Sequence, residues 1–183
     1  LQSKIKRKKR QLKQITLLLE AGADAMAKNE RGNTPLHLAS FNVGRSTNDT
    51  KTIAIFLRYG SDLSAKNYSG HTPLHLATGH CRGKITKALL KSGADVMILS
   101  DNRDTVLNSA ILGTANNAKV NCSTKKQAQI IKLLIDAGAN VNFRNKNGQS
   151  PWDLAKEKNL QNTKGYTYLE KAYEFKCRLF FYT

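Results

Sequence analysis

Apolar residues recur at intervals of three and four in several segments of the chain, the spacing of one buried face of an α-helix. Three such groups are Ile53, Phe56 and Leu57, then Ile85, Leu89 and Leu90, then Ile130, Ile131, Leu134 and Ile135. A glycine follows each group, at Gly60, Gly93 and Gly138. Glycine is typical of the position that ends a helix with positive φ. The pattern therefore predicts three helices that each end at a glycine.

A second kind of helix is predicted where a threonine precedes a proline. Thr34 and Thr72 are good N-cap residues, and Pro35 and Pro73 follow them directly. Proline fits the first helical position because the N–H that it lacks would have no partner there. Short helices are expected to begin at these prolines. A turn or hairpin of about ten residues should connect each helix-ending glycine to the next short helix.

The glycines also mark an internal repeat. Gly22, Gly60, Gly93 and Gly138 align in one column, and ten residues later the column reads Gly32, Gly70, Arg103 and Gly148. Successive glycines of the first column are 38, 33 and 45 residues apart. This spacing indicates a unit of about 33 residues. The two extra stretches, at 41–51 and 112–126, are polar and are expected to be surface loops.

This repeat resembles the ankyrin repeat. The resemblance is carried by Thr-Pro-Leu-His at 34–37 and 72–75 and by elements similar to Ala-Gly-Ala-Asp at 21–24, 92–95 and 137–140. It covers roughly residues 12 to 160 and implies an all-α helical solenoid: an array of about four to five helix pairs joined by hairpin-like turns. One helix pair cannot bury its apolar face alone, so stacked neighbours supply the core.

The chain departs from the ankyrin pattern in three places. Residues 104–108 lack the proline and histidine, Ser150, Trp152 and Asp153 occupy the corresponding positions near the end, and residues 1–10 show no first helix of the expected kind. We divide the chain into 1–11, a basic segment or the remnant of a truncated repeat, 12–165, the ankyrin-repeat domain, and 166–183. The last part is either a C-terminal capping helix or the start of a further segment.

The histidines raise the question of a metal or catalytic site. The resemblance implies that His37 and His75 are structural, each bonding back to its threonine hydroxyl and across to the neighbouring backbone. His71, His75, His80 and Cys81 are of the residue types that bind zinc, but no carboxylate or second cysteine lies close by. No phosphate-loop, serine-hydrolase, metalloprotease or kinase motif is present. We expect no metal, no cofactor and no catalysis.

Charge adds a second possible function. The formal net charge is +17, and the basic residues Lys4, Lys6, Arg7, Lys8, Lys9, Arg10 and Lys13 all precede the first acid. Such a segment is either a nuclear-localisation or acidic-surface patch, or only a solvated helix face or tail. Leu12, Ile15, Leu18 and Leu19 have the spacing of the second helix of a partial repeat. A basic protein favours acidic partners, namely nucleic acid or anionic lipid.

The number and spacing of the cysteines indicate the redox state of the compartment. Cys81, Cys122 and Cys177 are odd in number, widely spaced and without a C-x-x-C pair, so no disulfide framework is indicated. A reducing compartment is the simplest interpretation. We therefore expect an intracellular protein, in the cytosol or nucleus, or in a host cell if it is a microbial effector.

A partner site is expected on the concave surface that turn tips and the exposed sides of the first helices form in a stacked array. The hypothesis is a non-catalytic, monomeric module that binds another protein there. The alternative is a targeting module of a larger protein whose basic surface binds anionic lipid or nucleic acid weakly. The candidate partner-binding residues are Arg31, Asn33, Phe41, Tyr68, His71, Leu99, Arg103, Phe143, Arg144 and Lys146.

Overall fold

The computed structural model describes residues 2–41, 50–115 and 122–181, and within these ranges it contains α-helices and no strand. The all-α prediction is confirmed. The helices are α1 (Gln2–Glu20), α2 (Pro35–Phe41), α3 (Thr50–Arg58), α4 (Pro73–Gly79), α5 (Gly83–Lys91), α6 (Val106–Ala115), α7 (Thr124–Asp136), α8 (Pro151–Glu157) and α9 (Lys164–Phe181).

The helices form two layers. In the first layer α2, α4, α6 and α8 pack in chain order, each against the next. In the second layer α1, α3, α5, α7 and α9 do the same. The core lies between the layers, where the periodic apolar residues of both are buried, among them Leu36, Leu74, Leu107, Ile53, Ile85 and Ile130. Each pair therefore depends on its neighbours for burial, as stacking repeats require.

The predicted helix ends are confirmed. Thr72 has extended φ and ψ, and its side chain accepts the backbone N–H of His75 at the start of α4. Ser150 caps α8 in the same way and accepts from Asp153. Gly60 and Gly93 have φ of +83° and +91°, the left-handed region in which a Cβ is disfavoured. The local signals in the sequence were sufficient to place these boundaries.

Four turns connect the second layer to the first, and we call them the fingers: residues 24–33, 62–71, 95–104 and 140–149. Each finger turns back on itself; in the second, the N–H of Asn67 donates to the carbonyl of His71 at 3.0 Å. Neighbouring fingers are also joined, since Tyr68 N–H donates to Arg31 O at 3.2 Å and Lys146 N–H donates to Asn102 O at 3.0 Å. The fingers therefore form one connected edge rather than separate loops.

The two polar insertions differ in part from their prediction as loops. Residues 42–49 and 116–121 lie outside the described residues, so the loop prediction stays a prediction there. The described ends of both insertions are helical: α2 ends at Phe41 and α3 begins at Thr50, while α6 continues to Ala115 and α7 begins at Thr124. Residues 124–126 are helical rather than part of a loop because the Ser123 side chain accepts the N–H of Lys126 and caps α7.

The basic segment and the first apolar group belong to one helix. We expected residues 1–10 to lack a first helix of the ankyrin kind, and the structure places residues 2–10 in α1, which runs without a break from Gln2 to Glu20. α9 likewise runs across residue 165 and ends at Phe181. The domain boundaries stay predictions. Tyr166 and Leu169 are buried, whereas Tyr173 is more than a third exposed and stacks on Trp152 with ring centroids 5.5 Å apart.

The cysteine interpretation is wrong for one pair. Cys81 and Cys122 form a disulfide, with Cα atoms 5.7 Å apart across a sequence separation of 41. The odd count and wide spacing suggested no bridge, but stacking of adjacent repeats brings the α4–α5 turn next to the residue before the α7 cap. The expectation of a reducing compartment therefore loses its main support, and the localisation stays a prediction.

Candidate functional site: the finger edge

Tyr68 is the most prominent of the predicted partner residues. Its side chain is 68% exposed, while its backbone N–H is held by Arg31 O of the preceding finger. One side of the ring lies against Gly32, where an added Cβ would meet the ring at 2.6 Å. Lys28 Nζ lies 5.9 Å from the ring centroid. The tyrosine is thus exposed but held in one place by the finger before it.

Asn33 does not have the free tip position that we expected. It is only 6% exposed, and its Oδ1 accepts from Asn67 Nδ2 at 2.8 Å. Asn67 Oδ1 in turn accepts the backbone N–H groups of Ser69 and His71, both at 3.0 Å. The asparagines therefore connect one finger to the next from within, which leaves the side chain of Asn33 unavailable to a partner.

The histidine prediction is confirmed for His37 and His75. The Nδ1 atoms of both rings lie 2.8 Å from the threonine hydroxyl at the start of their helix. Their Nε2 atoms reach the next finger, at 2.9 Å from His71 O for His37 and at 3.3 Å from Asp104 O for His75. Burial lowers the pKa of His75 to about 4 and also lowers the pKa of His37. Both rings are neutral connectors between repeats.

His71 is half-buried rather than fully exposed. Its ring lies 5.7 Å from the ring of His75, and its carbonyl accepts from His37. Burial lowers the pKa of His71, against the opposing effect of the Asp104 and Asp101 charges. The residue therefore has a packing role at the base of the finger as well as a partly exposed edge.

The third and fourth fingers meet through Arg103 and Phe143. The Arg103 guanidinium lies 5.2 Å from the Phe143 ring centroid, which is a cation–π contact. Arg103 is exposed and has φ of +58°, in the column where the other repeats have glycine. Phe143 is half-buried beneath it. The two side chains predicted separately from the sequence thus form one unit on the surface.

Leu99, Arg144 and Lys146 are held to different degrees. Leu99 is half-buried, and its carbonyl accepts from Lys66 Nζ at 2.7 Å. Arg144 is exposed and pairs with Asp153 at 3.0 Å, so its charge is already partly matched within the chain. Lys146 is exposed, and its backbone is fixed by the third finger. Leu99 belongs to the same finger as Arg103, and Arg144 and Lys146 continue the edge on the fourth finger.

Phe41 lies apart from the other candidates. It ends α2, about 9 Å along the helix axis from Pro35 at a rise of 1.5 Å per residue, whereas the fingers adjoin the start of that helix. Its ring packs on His80 with centroids 5.2 Å apart, and its carbonyl accepts from Arg82 at 3.4 Å. The structure therefore does not bring Phe41 together with the finger residues.

The sequence reasoning missed three residues on the fingers. Met97 is 49% exposed on the third finger. Lys28 and Lys66 occupy one column of the repeat, and each ammonium group donates to a backbone carbonyl of the next finger, at 3.1 and 2.7 Å. The sequence signal that could have identified the two lysines is their shared column in the repeat. An exposed methionine has no comparable signal, because apolar residues in a repeat are assigned to the core by default.

A metal centre, a membrane span and an apolar groove are alternatives to a partner site on the fingers. Among the described residues no group of three or more His, Cys, Asp and Glu side chains is placed to hold a metal ion. None of the described helices is long and apolar enough to cross a membrane. A groove of about 400 Å³ lies between α7 and α9, lined by Ile135, Val141 and Tyr168 among others. None of the predicted partner residues lines it.

Two stacked layers of short helices, joined by fingers that bond to one another, define a helical repeat solenoid. The chain matches the family model described as ankyrin repeats, in three copies, over residues 5–100, more than half of its 183 residues. It therefore belongs to the ankyrin-repeat family. A search of curated proteins found no match. Ankyrin repeats are generally modules for protein–protein interaction and are typically non-catalytic.

Proposed function

We propose that this chain is a non-catalytic module that binds another protein through the concave face, formed by the fingers and the exposed side of the first layer. The observation that carries the proposal is Tyr68, a large aromatic side chain that is 68% exposed while its backbone is bonded to the preceding finger. An isolated exposed tyrosine is unremarkable on a surface. A tyrosine fixed between two bonded fingers is a suitable anchor for a partner.

The Arg103 and Phe143 pair supports a second contact point further along the same edge. Tyrosine and arginine are among the residue types that contribute most to binding at protein interfaces. Because backbone hydrogen bonds connect successive fingers, their tips are already ordered before a partner arrives. Preordering lowers the conformational entropy lost on binding. A partner that spans both points therefore gains two contacts while the fingers lose little conformational entropy.

The proposal is tested by replacing Tyr68 and Phe143 together with alanine. The folded chain is first used for affinity capture from a lysate, with mass spectrometry to identify the bound protein. The double variant should bind that protein more weakly by about 2 kcal/mol or more if either residue is a hot spot. Its unfolding free energy should stay within about 1 kcal/mol of the unmodified chain, since neither side chain is in the core.

Lys87→Ala with Lys132→Ala serves as the matched control. Both lysines are exposed on the second layer, away from the fingers. The control should keep full affinity for the captured protein. If the control loses binding while the Tyr68 and Phe143 variant keeps it, the concave face is not the partner site.

A further inference from the structure

The positive charge of this protein is concentrated on one of its two layers. The second-layer helices α1, α3, α5, α7 and α9 contain nineteen of the thirty Lys and Arg residues and four of the thirteen acids, a net +15 of the total +17. In the first layer α2, α4 and α6 contain no charged residue. The positive charge is therefore distributed by layer: it lies mainly on the second helix of each repeat and is not spread evenly along the chain.

The fingers, by contrast, are electrically balanced. Together the four fingers contain six Lys and Arg residues and six Asp and Glu residues. The fingers of the concave face proposed above to bind a protein therefore carry no net formal charge in total. The basic second layer is a separate surface, and its charge is not explained by the protein-binding function.

The basic side chains of the second layer whose burial the structure describes are all exposed. Those described as exposed are Lys6, Lys9, Arg10, Lys13, Lys51, Arg58, Lys84, Lys87, Lys91, Lys125, Lys126, Lys132, Lys164 and Lys171. Since the buried side of each helix faces the first layer, these groups lie on the side away from it. We call this set the basic face.

Little acidic charge offsets the basic face. α3 and α5 contain no acidic residue, and in α7 Asp136 pairs with Lys132 at 2.6 Å. Like charges on one surface repel one another, and salt screens this repulsion only partly between charges that lie within a Debye length of about 8 Å. A polyanion relieves that repulsion and gains entropy from the release of its own counterions.

We propose that the basic face binds the phosphate backbone of double-stranded nucleic acid without sequence preference. Packed helices lie about 8–10 Å apart, so the five helices of the second layer form a row of roughly 40 Å. Phosphates recur about every 3.4 Å along one strand of a duplex, so such a row matches about 12 base pairs. The elongated shape of the row fits a rod-like polyanion.

The lack of large exposed apolar residues on α3, α5 and α7 favours a duplex over a single strand or a membrane. Single strands are held largely by stacking of bases on aromatic side chains, and helices that bind membranes insert apolar side chains at the lipid interface. Of the large exposed apolar residues that the structure describes, Leu17 and Leu18 lie on α1 and Tyr173 lies on α9, whereas none lies on α3, α5 or α7. The centre of the basic face therefore offers charge alone.

The test measures binding of a fluorescently labelled DNA duplex of about 20 base pairs by anisotropy, between about 50 and 200 mM salt. Two duplexes of unrelated sequence should bind with equal affinity, and log Kd should rise linearly with log salt. The variant Lys84→Gln, Lys87→Gln, Lys91→Gln should reduce that slope by about 2.7, from about 0.9 per lost phosphate contact. At about 100 mM salt its affinity should fall roughly 500-fold, which is that slope change extrapolated from about 1 M salt.

The control variant Lys28→Gln, Arg31→Gln, Lys146→Gln removes the same charge from the fingers. It should keep the duplex affinity and the salt slope of the unmodified chain. Equal losses in the two triple variants would show that net charge alone attracts the duplex and would overturn the assignment to the basic face. Melting curves of both variants establish that each is folded, since all six side chains are exposed.

Two competing ligands complete the test. Tighter binding to a single strand of the same length, or to phosphatidylserine vesicles at a salt concentration where the duplex is released, would overturn the choice of a duplex. The variant Tyr68→Ala with Phe143→Ala should bind the duplex normally. Loss of duplex binding in that variant would place the polyanion on the fingers and overturn the proposal, whereas loss of the protein partner alone would leave it intact.

Discussion

Protonation of His75 should destabilise the folded chain as the pH falls from about 6.5 to about 4. The ring is 1% exposed, and its Nδ1 lies 3.2 Å from the backbone N of Thr72, which donates to it. Nδ1 must therefore be unprotonated in the folded state, and Nε2–H donates to Asp104 O. Adding a proton to Nδ1 would remove this acceptor and place a charge in a buried site.

The sign and size of the effect follow from the pKa. Burial lowers the pKa of His75 from 6.5 to about 4, so between these values the unfolded chain binds a proton that the folded chain does not. The unfolding free energy is therefore highest above pH 6.5 and decreases as the pH falls. The shift corresponds to about 3 kcal/mol lost by pH 4. The pKa values of His37 and His71 are also lowered, so their titration acts in the same direction.

The assay is urea unfolding followed by circular dichroism from pH 7.5 to 4, for the unmodified chain and for His75→Asn. Asparagine is chosen because the third repeat already has it at this position: Asn108 occupies the same register and accepts from Thr105 Oγ1 at 3.1 Å. Asparagine keeps an acceptor for Thr72 but does not titrate. The variant should be less stable at pH 7.5 and should lose about 3 kcal/mol less on acidification. An unchanged pH dependence in His75→Asn would refute the reasoning.

Two further predictions concern packing and covalent closure. An alanine Cβ at residue 113 would overlap the backbone of Gly79, so Gly113→Ala should cost about 1–3 kcal/mol in thermal unfolding. Gly79→Ala, whose Cβ would meet Ser109 O at 3.5 Å, should be nearly neutral, and equal effects would contradict the close contact of α4 and α6. Reduction of the Cys81–Cys122 bridge, at a separation of 41, should lower the unfolding free energy by roughly 4 kcal/mol. Dithiothreitol should have no such effect on Cys81→Ser, and an unmodified chain that melts identically with and without reductant would contradict the bridge.

The sequence alone was sufficient for the repeat and its helix boundaries, because the responsible interactions are local. A threonine caps the helix that begins one residue later, and a glycine ends the helix that it follows. The roles of His37 and His75 could be predicted for the same reason, since half of their hydrogen bonds are made within three residues. The exposure of Tyr68 also followed from its place at a turn tip.

Features that depend on neighbouring repeats were decided only by the tertiary structure. Arg31 and Asn33 lie two residues apart in one finger, yet Arg31 is exposed and Asn33 is buried against Asn67 of the next finger. The bridge between Cys81 and Cys122 and the cation–π contact of Arg103 with Phe143 likewise join residues about 40 apart. No local pattern encodes such contacts, because they depend on the distance and angle at which one repeat stacks on the next.

The basic face shows the same division between sequence and structure. The net charge of +17 is a property of composition and indicated an acidic partner. Its location on the second layer required the fold, since only the packing shows that α1, α3, α5, α7 and α9 are consecutive neighbours. Lysines that lie more than thirty residues apart along the chain share one surface because each repeat places its second helix beside the previous one.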